Sequence, residues 1–195
     1  GEENALLAWQ EKFRELHADF ADIQFRHTKS FVPPFRRWRV KIRPEIVTLG
    51  VNGIDPNSET GEHVTPERWD ELIQRDDVRV IDTRNHYEYQ LGSFARAEDP
   101  QTDNFREFPA WVKQNLDPEK DEHVAMFCTG GIRCEKATAY MLQQGFKNVY
   151  QLDGGILEYI KARDEGQSLW HGECFIFDDR VSLDHALEPT GRQVC

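Results

Sequence analysis

Residues 124–145, VAMFCTGGIRCEKATAYMLQQG, decide the fold. Val124 to Cys128 is a short apolar run, the pattern of a strand buried on both faces of a parallel sheet. Glu135 to Gln144 sets Ala137, Tyr140 and Met141 on one helical face, and Gly145 supplies a C-terminal stop. A strand that runs through a glycine-bearing loop into a helix is half of an α/β unit. The same rhythm extends outward in both directions. Val78 to Asp82 and Val149 to Leu152 are further apolar, β-rich runs, and Thr65-Pro66 caps and opens a helix reaching Gln74. Another helix is predicted from Ile156 to Arg163. The alternation predicts an α/β domain over 63–166, a parallel sheet flanked by helices.

Before it, residues 51–62 are rich in Gly, Asn, Asp, Ser and Pro and read as a linker. Residues 1–50 read as a separate small unit. Ala5, Leu6, Trp9, Phe13 and Leu16 recur at helical spacing over 3–17, and two strands are predicted at Ala21 to Arg26 and Arg36 to Arg43. In the second, Trp38, Val40 and Ile42 alternate with Arg37, Arg39, Lys41 and Arg43, between Pro33-Pro34 and Pro44. Residues 167–195 form an extension with a predicted hairpin, Glu173 to Phe177 and Arg180 to Leu183.

The chain has 195 residues, 30% charged and 38% hydrophobic, with five Trp and twelve Phe, which demands a packed core and excludes a disordered tail. It contains no run of eighteen apolar residues, and the start GEENALLAW lacks the features of a signal peptide, so no membrane partner and a cytoplasmic location are expected. The net charge of −11 conceals segregation. Between Arg26 and Arg43 lie seven Lys+Arg (26, 29, 36, 37, 39, 41, 43) and no acid, so a +7 segment stands against a remainder of −18. On a strand, same-face cations recur at about 6.5–7 Å, close to the phosphate repeat of a nucleic acid, which makes Arg36, Arg37, Arg39, Lys41 and Arg43 candidate RNA-binding residues. A solvated edge strand protected by charge is the structural alternative. DNA is not an expected partner.

Four cysteines, at 128, 134, 174 and 195, are too few and too bunched for a disulfide framework. Cys128 is the candidate nucleophile. Thr129, Gly130, Gly131, Ile132, Arg133 and Cys134 complete a loop that enters a helix, where backbone N–H groups and the arginine favour thiolate over thiol. A buried structural cysteine at a strand end is the competing assignment. Cysteine phosphatases place the arginine of such a loop one residue further on; that position is Cys134 here. The shorter loop suits a smaller group, such as a sulfur carried on sulfur. His171, Cys174, His185 and Cys195 match no standard zinc spacing, so no metal is expected, and neither an iron triad nor a flavin motif is visible.

Val80-Ile81-Asp82-Thr83-Arg84, Tyr87-Glu88-Tyr89, Gly92-Ser93-Phe94, Phe127 to Cys134 and Leu152-Asp153-Gly154-Gly155-Ile156 together resemble the rhodanese superfamily. The resemblance implies a flavodoxin-like α/β fold, a persulfide-bearing Cys128 cradled by Thr129 to Arg133, and loop support from Asp82 and Arg84. Ser93 departs from the histidine common at that place. A more specific resemblance rests on Arg39-Val40-Lys41, Glu45 to Gly50, Phe105-Arg106-Glu107-Phe108-Pro109, Cys128 to Lys136 and Gly172 to Asp178. These segments are similar to the rhodanese-containing tRNA uridine hydroxylases. That family implies conversion of the wobble uridine of tRNA to 5-hydroxyuridine, with dioxygen as co-substrate, no evident cofactor, and Cys128 required. It also implies that residues 1–50 are part of a ferredoxin-like domain entered at its second helix, and that a cysteine-rich tail follows Cys195. Cys134 is then a candidate resolving thiol. Two other assignments stay open: a sulfurtransferase carrying persulfide on Cys128, and a non-catalytic rhodanese-like binding module.

Overall fold

The structure is a computed structural model that describes residues 3–27, 29, 30, 33–35, 37 and 40–193. It divides into two units, Gly1–Arg36 and Arg37–Cys195.

In the first unit, α1 (Glu3–Glu15) is followed by a 3-10 turn at Ala18–Phe20. Phe13 stacks on Trp9 and Phe20 at centroid distances of 5.1 and 4.7 Å and meets Phe25 edge-on at 6.1 Å. Arg14 lies 5.1 Å over Phe25 and donates to the Ile23 carbonyl at 3.3 Å. Phe25 therefore returns to the helix as an irregular segment. The strand expected at 21–26 does not form, because no neighbouring strand lends it a ladder. The strand expected at 36–43 is likewise absent among the described residues, and Val40 and Ile42 are 94% and 102% exposed rather than core-facing. Among the described residues no strand precedes Glu62, so the sheet that a ferredoxin-like unit needs is not seen.

The second unit is built on four parallel strands in the order β1 (Glu62–Val64), β5 (Asn148–Leu152), β4 (His123–Phe127) and β2 (Val78–Asp82). Its helices are α2 (Pro66–Ile73), α3 (His86–Tyr89), α4 (Phe108–Asn115), α5 (Ile132–Gln143) and α6 (Gly155–Ala162). Two antiparallel pairs complete it: β3 (Gly92–Phe94) with β6 (Trp170–Gly172), and β7 (Cys174–Phe175) with β8 (Ser182–Leu183). The sheet strands alternate their side chains between two cores. Ala125 and Phe127 join Val78, Val80, Trp69, Ile156, Tyr159 and Trp170 on the α2/α6 side. Val124 and Met126 join Ile81, Phe108, Val112, Tyr140 and Met141 on the α4/α5 side.

Three of the four sheet strands match the apolar runs read from sequence, and α5 begins three residues earlier than expected, which brings Arg133 and Cys134 into its first turn. The expected linker at 51–62 belongs to this unit at both ends. Leu49, just before it, is 1% exposed in the α4/α5 core, with Val51 and Ile54 packed beside it. At its far end the Gly61 N–H donates to Thr138 Oγ1 of α5 at 3.0 Å, and Glu62 begins β1. Glu45 accepts from the Leu49 N–H at 3.1 Å and pairs with Lys136 of α5. Among the described residues, no helix is long and apolar enough to cross a membrane.

Leu49→Ala should thus destabilise the α/β unit by about 2–5 kcal/mol, as a core truncation does. Urea unfolding of wild type and variant at equal protein concentration measures this; a loss under about 1 kcal/mol would show that the segment is only an appendage.

Candidate active site

β4 and β5 are adjacent, so the loops leaving their carboxyl ends lie side by side. The first is Cys128 to Gly131, which caps α5; the second is Asp153-Gly154, which caps α6. The two lock together through the backbone. The Ile156 and Leu157 N–H groups donate to the carbonyls of Cys128 and Thr129 at 3.0 and 3.1 Å. A Cβ at Gly155 would stand 2.5 Å from the Cys128 oxygen and 2.7 Å from the Gly131 nitrogen, so only glycine permits this approach. With its carbonyls engaged by α6, the loop turns its N–H groups toward the sulfur. Gly131, at φ 87°, donates its N–H to Cys128 Sγ at 3.2 Å. Gly130 is exposed, and Ile132 is half-exposed.

Cys128 is 2% exposed, and burial alone would hold it neutral. It is instead drawn down to about 6, first by the hydrogen bond from the Cys134 side chain, which outweighs desolvation, then by the charge of Arg133 and the amides of Cys134 and Arg133. Cys134 moves the opposite way. Burial and its bond to Cys128 push its thiol well above the ordinary value, so the pair holds one thiolate and one S–H donor. Thr83, at the end of β2, supports them both. Its N–H and hydroxyl donate to the Phe127 carbonyl at 3.0 and 2.9 Å, and its oxygen lies 3.7 Å from Cys134 Sγ.

Arg133 is held by Glu88 of α3, whose Oε2 accepts from Nη2 at 2.9 Å in a buried pair. Asn85 and Glu88 form a capping box at the start of α3, which fixes the carboxylate before it meets the arginine. Asp82 and Arg84 form the expected ion pair, fully buried, at 2.9 and 2.6 Å. Neither is bonded directly to residues 128–134; the hydrogen bonds of the pair go elsewhere. Arg84 donates to the Gly92 carbonyl at 2.6 Å and lies 5.1 Å over the Trp170 ring, while Ser93 Oγ donates to Asp82 at 3.1 Å. Arg84 also lies 6.0 Å over the ring of Phe127, the last residue of β4, and its remaining contacts anchor β3 and β6. Glu88, Thr83 and Gly155 support the loop. The Asn85-x-x-Glu88 spacing is a local signal that could have marked the capping box, but nothing local signals Arg133 as the partner of Glu88.

The C-terminal extension packs on the site. Thr129 Oγ1 is 3.4 Å from the Phe175 carbonyl, and Phe177 lies beneath the Arg133 guanidinium at 5.4 Å. Cys174 is buried, which pushes its thiol up to about 12, and His185 bonds the Trp170 carbonyl at 3.1 Å. No group of three His, Cys, Asp or Glu is placed to hold a metal among the described residues. Cys195 lies outside them, as do Arg36 and Arg39; Arg37, Lys41 and Arg43 are exposed.

A thiolate in an amide nest, on a loop between β4 and α5, defines a rhodanese-type site. The family model for the rhodanese-like domain matches residues 65–162, half of the chain, and the chain belongs to that family. Two curated relatives are each named tRNA uridine(34) hydroxylase. The one from Legionella pneumophila is 53% identical over 169 residues, covering 87% of this chain and 66% of the relative. The one from Picosynechococcus sp. is 50% identical over 182 residues, covering 92% and 61%. The chain thus spans just under two thirds of the length of these relatives. Among solved structures, a rhodanese-like domain protein from Staphylococcus aureus is 19% identical, with a TM-score of 0.42, over 55% of this chain and 96% of that one.

The site makes a sharp prediction about pH. Alkylation of Cys128 by iodoacetamide should rise with pH through a midpoint near 6 and be lost below it, as the thiolate is protonated. Cys134→Ala removes the S–H donor and should move the midpoint up by about one unit or more. Peptide mass spectrometry of the alkylated protein reads both; a midpoint near 8.5 in the wild type would refute the thiolate assignment.

Proposed function

We propose that this chain is the rhodanese-bearing part of a tRNA-modifying enzyme that hydroxylates the wobble uridine to 5-hydroxyuridine, with dioxygen as co-substrate. The observation that carries this is the reach of the similarity. Half or more of the aligned positions are identical to relatives named for that activity, over 169 and 182 residues, well beyond the 65–162 that any rhodanese-like domain would account for. Phe105 to Pro109 and Gly172 to Asp178, which rest against the two cores and the site, are among the segments that set this chain apart from a generic rhodanese.

In this proposal Cys128 is the essential residue and the loop amides with Arg133 stabilise its anionic sulfur. Cys134, whose side chain lowers the pKa of the Cys128 thiol, would resolve an oxidised or sulfur-loaded Cys128. Hydroxylation replaces C–H by C–OH with one oxygen atom of O2; the other leaves as water, its two electrons and two protons supplied by an external thiol reductant, two R–SH becoming one R–S–S–R. tRNA is the partner, and the cytoplasm, where tRNA is found, is the compartment. The exposed Arg37, Lys41 and Arg43 belong to the +7 segment that would meet its phosphates. A sulfurtransferase is the second reading, favoured by a thiolate in a loop too short for phosphate. A non-catalytic module is disfavoured by the intact cysteine and its tuned environment.

Incubating the full-length protein in air with tRNA that lacks wobble modification should add one oxygen to the wobble uridine, detected by nucleoside mass spectrometry, and Cys128→Ser should abolish it. Labelled dioxygen should deliver the label. A gain of sulfur instead, or cyanide-releasable sulfur with unchanged tRNA, would establish the sulfurtransferase. In a separate test, reversing charge at Arg37 and Lys41 should weaken tRNA binding and lower the salt slope by roughly 0.7–0.9 per lost phosphate contact; unchanged binding would remove the segment from the interface.

A further inference from the structure

Three rings from distant parts of the chain meet at the rim of the Cys128 loop. Tyr87 of α3 packs edge-on against Phe175 of β7 at 5.2 Å, and Phe175 against Phe177 at 5.1 Å. The extension that brings the two phenylalanines is tied to the loop through Thr129, and Arg133 lies over Phe177. The cluster is ordered by these contacts but not covered by them. Phe177 remains 62% exposed, Tyr87 43% and Ile132 50%, although Cys128 among them is buried.

The polar side of the rim is unfinished as well. Arg133 is 9% exposed and gives Nη2 to Glu88, yet its Nη1 is buried without a partner. An orphaned buried guanidinium donor is costly unless something accepts from it. An exposed aromatic surface beside a single unmet donor suits a flat, partly apolar ligand with a carbonyl oxygen at its edge. An unstacked pyrimidine base has this shape, with a π-face to stack and an exocyclic oxygen to accept. A peptide side chain would use the rings but has less need of the donor.

From this geometry we infer that Tyr87 and Phe177 form the stacking surface for the target pyrimidine of an unpaired RNA segment, with Arg133 Nη1 donating to its carbonyl oxygen beside Cys128. The inference rests on the RNA-modifying reading above and adds the base-binding subsite to it. Phe175 acts as a positioning residue, setting the angle between the two outer rings. Reaching a buried sulfur requires the base to leave its own stack, and the aromatic rim compensates that loss.

The test uses the full chain with Phe177→Ala, Phe177→Trp and Tyr87→Ala. Phe177→Ala should raise KM for tRNA about tenfold or more, Phe177→Trp should restore it, and Tyr87→Ala should act in the same direction. Independently, an oligouridine should quench the added indole of Phe177→Trp above the wild-type tryptophan background. Wild-type KM in both alanine variants, or no quenching of that indole, overturns the subsite and leaves the aromatic rim to a protein partner. Quenching by oligouridine in a protein that adds no oxygen to tRNA supports the subsite and removes the hydroxylation reading, so the two failures are distinguishable.

Discussion

The contact between the backbone of Gly155 and the loop Cys128 to Gly131 is the constraint on which the rest of the site depends. A loop that must point several N–H groups inward has to place its carbonyls elsewhere, and buried carbonyls need donors. Here the first turn of α6 supplies them, because Ile156 and Leu157 present N–H groups that have no partner inside their own helix. One helix end is satisfied by the loop that opens another. The arrangement works only while no side chain separates the two backbones, which is why Gly155, at φ 68°, stands where it does.

Charge is arranged around that frame in two layers. Asp82 and Arg84 pair with one another out of water and hold β3 and β6 to the sheet end, a structural task, with Arg84 Nη1 left buried and unpartnered. Glu88 and Arg133 act on the sulfur, and their pairing is incomplete too. Both bonds to Glu88 from Asn85 and Arg133 fall on Oε2, leaving Oε1 and Arg133 Nη1 buried and unpartnered. The arginine therefore retains part of its electrostatic influence for Cys128, and Cys134 adds a neutral donor close by.

Much of this was legible in the sequence, and what was not has identifiable causes. β2, β4 and β5 are apolar on both faces because helices cover both, so their strands stand out; β1, β3 and β6 are three residues each and owe their form to neighbours. The Cys128 loop was legible because a strand, two glycines and a helix must follow in that order to make an amide nest. Its supports were not, since Glu88 lies 45 positions from Arg133. Asp82 and Arg84 were read as an ion pair correctly, but a pair two residues apart reveals nothing of what it holds. Residues 40–43, the described end of the expected strand, show the limit of periodicity. Alternation is necessary for a half-buried strand, yet a ladder also needs a partner edge; among the described residues none lies beside Val40 and Ile42, which remain in solvent.

The short loop and the engaged arginine lead to the same chemical conclusion. A phosphate needs an arginine free to offer two parallel N–H groups to two oxygens. Arg133 already gives Nη2 to the buried Glu88 carboxylate, so a phosphate would have to compete with that ion pair for a two-pronged grip. The loop amide of Gly131 lies at hydrogen-bond distance from the sulfur itself, not at the wider radius that a sulfur-bound phosphoryl group would require. A site built this way stabilises a compact anion on or at Cys128 and keeps the unpaired Arg133 Nη1 for a neutral acceptor. That division, one set of donors for the sulfur and one for an incoming carbonyl, fits a reaction between a sulfur centre and a base better than one between a sulfur centre and a phosphate.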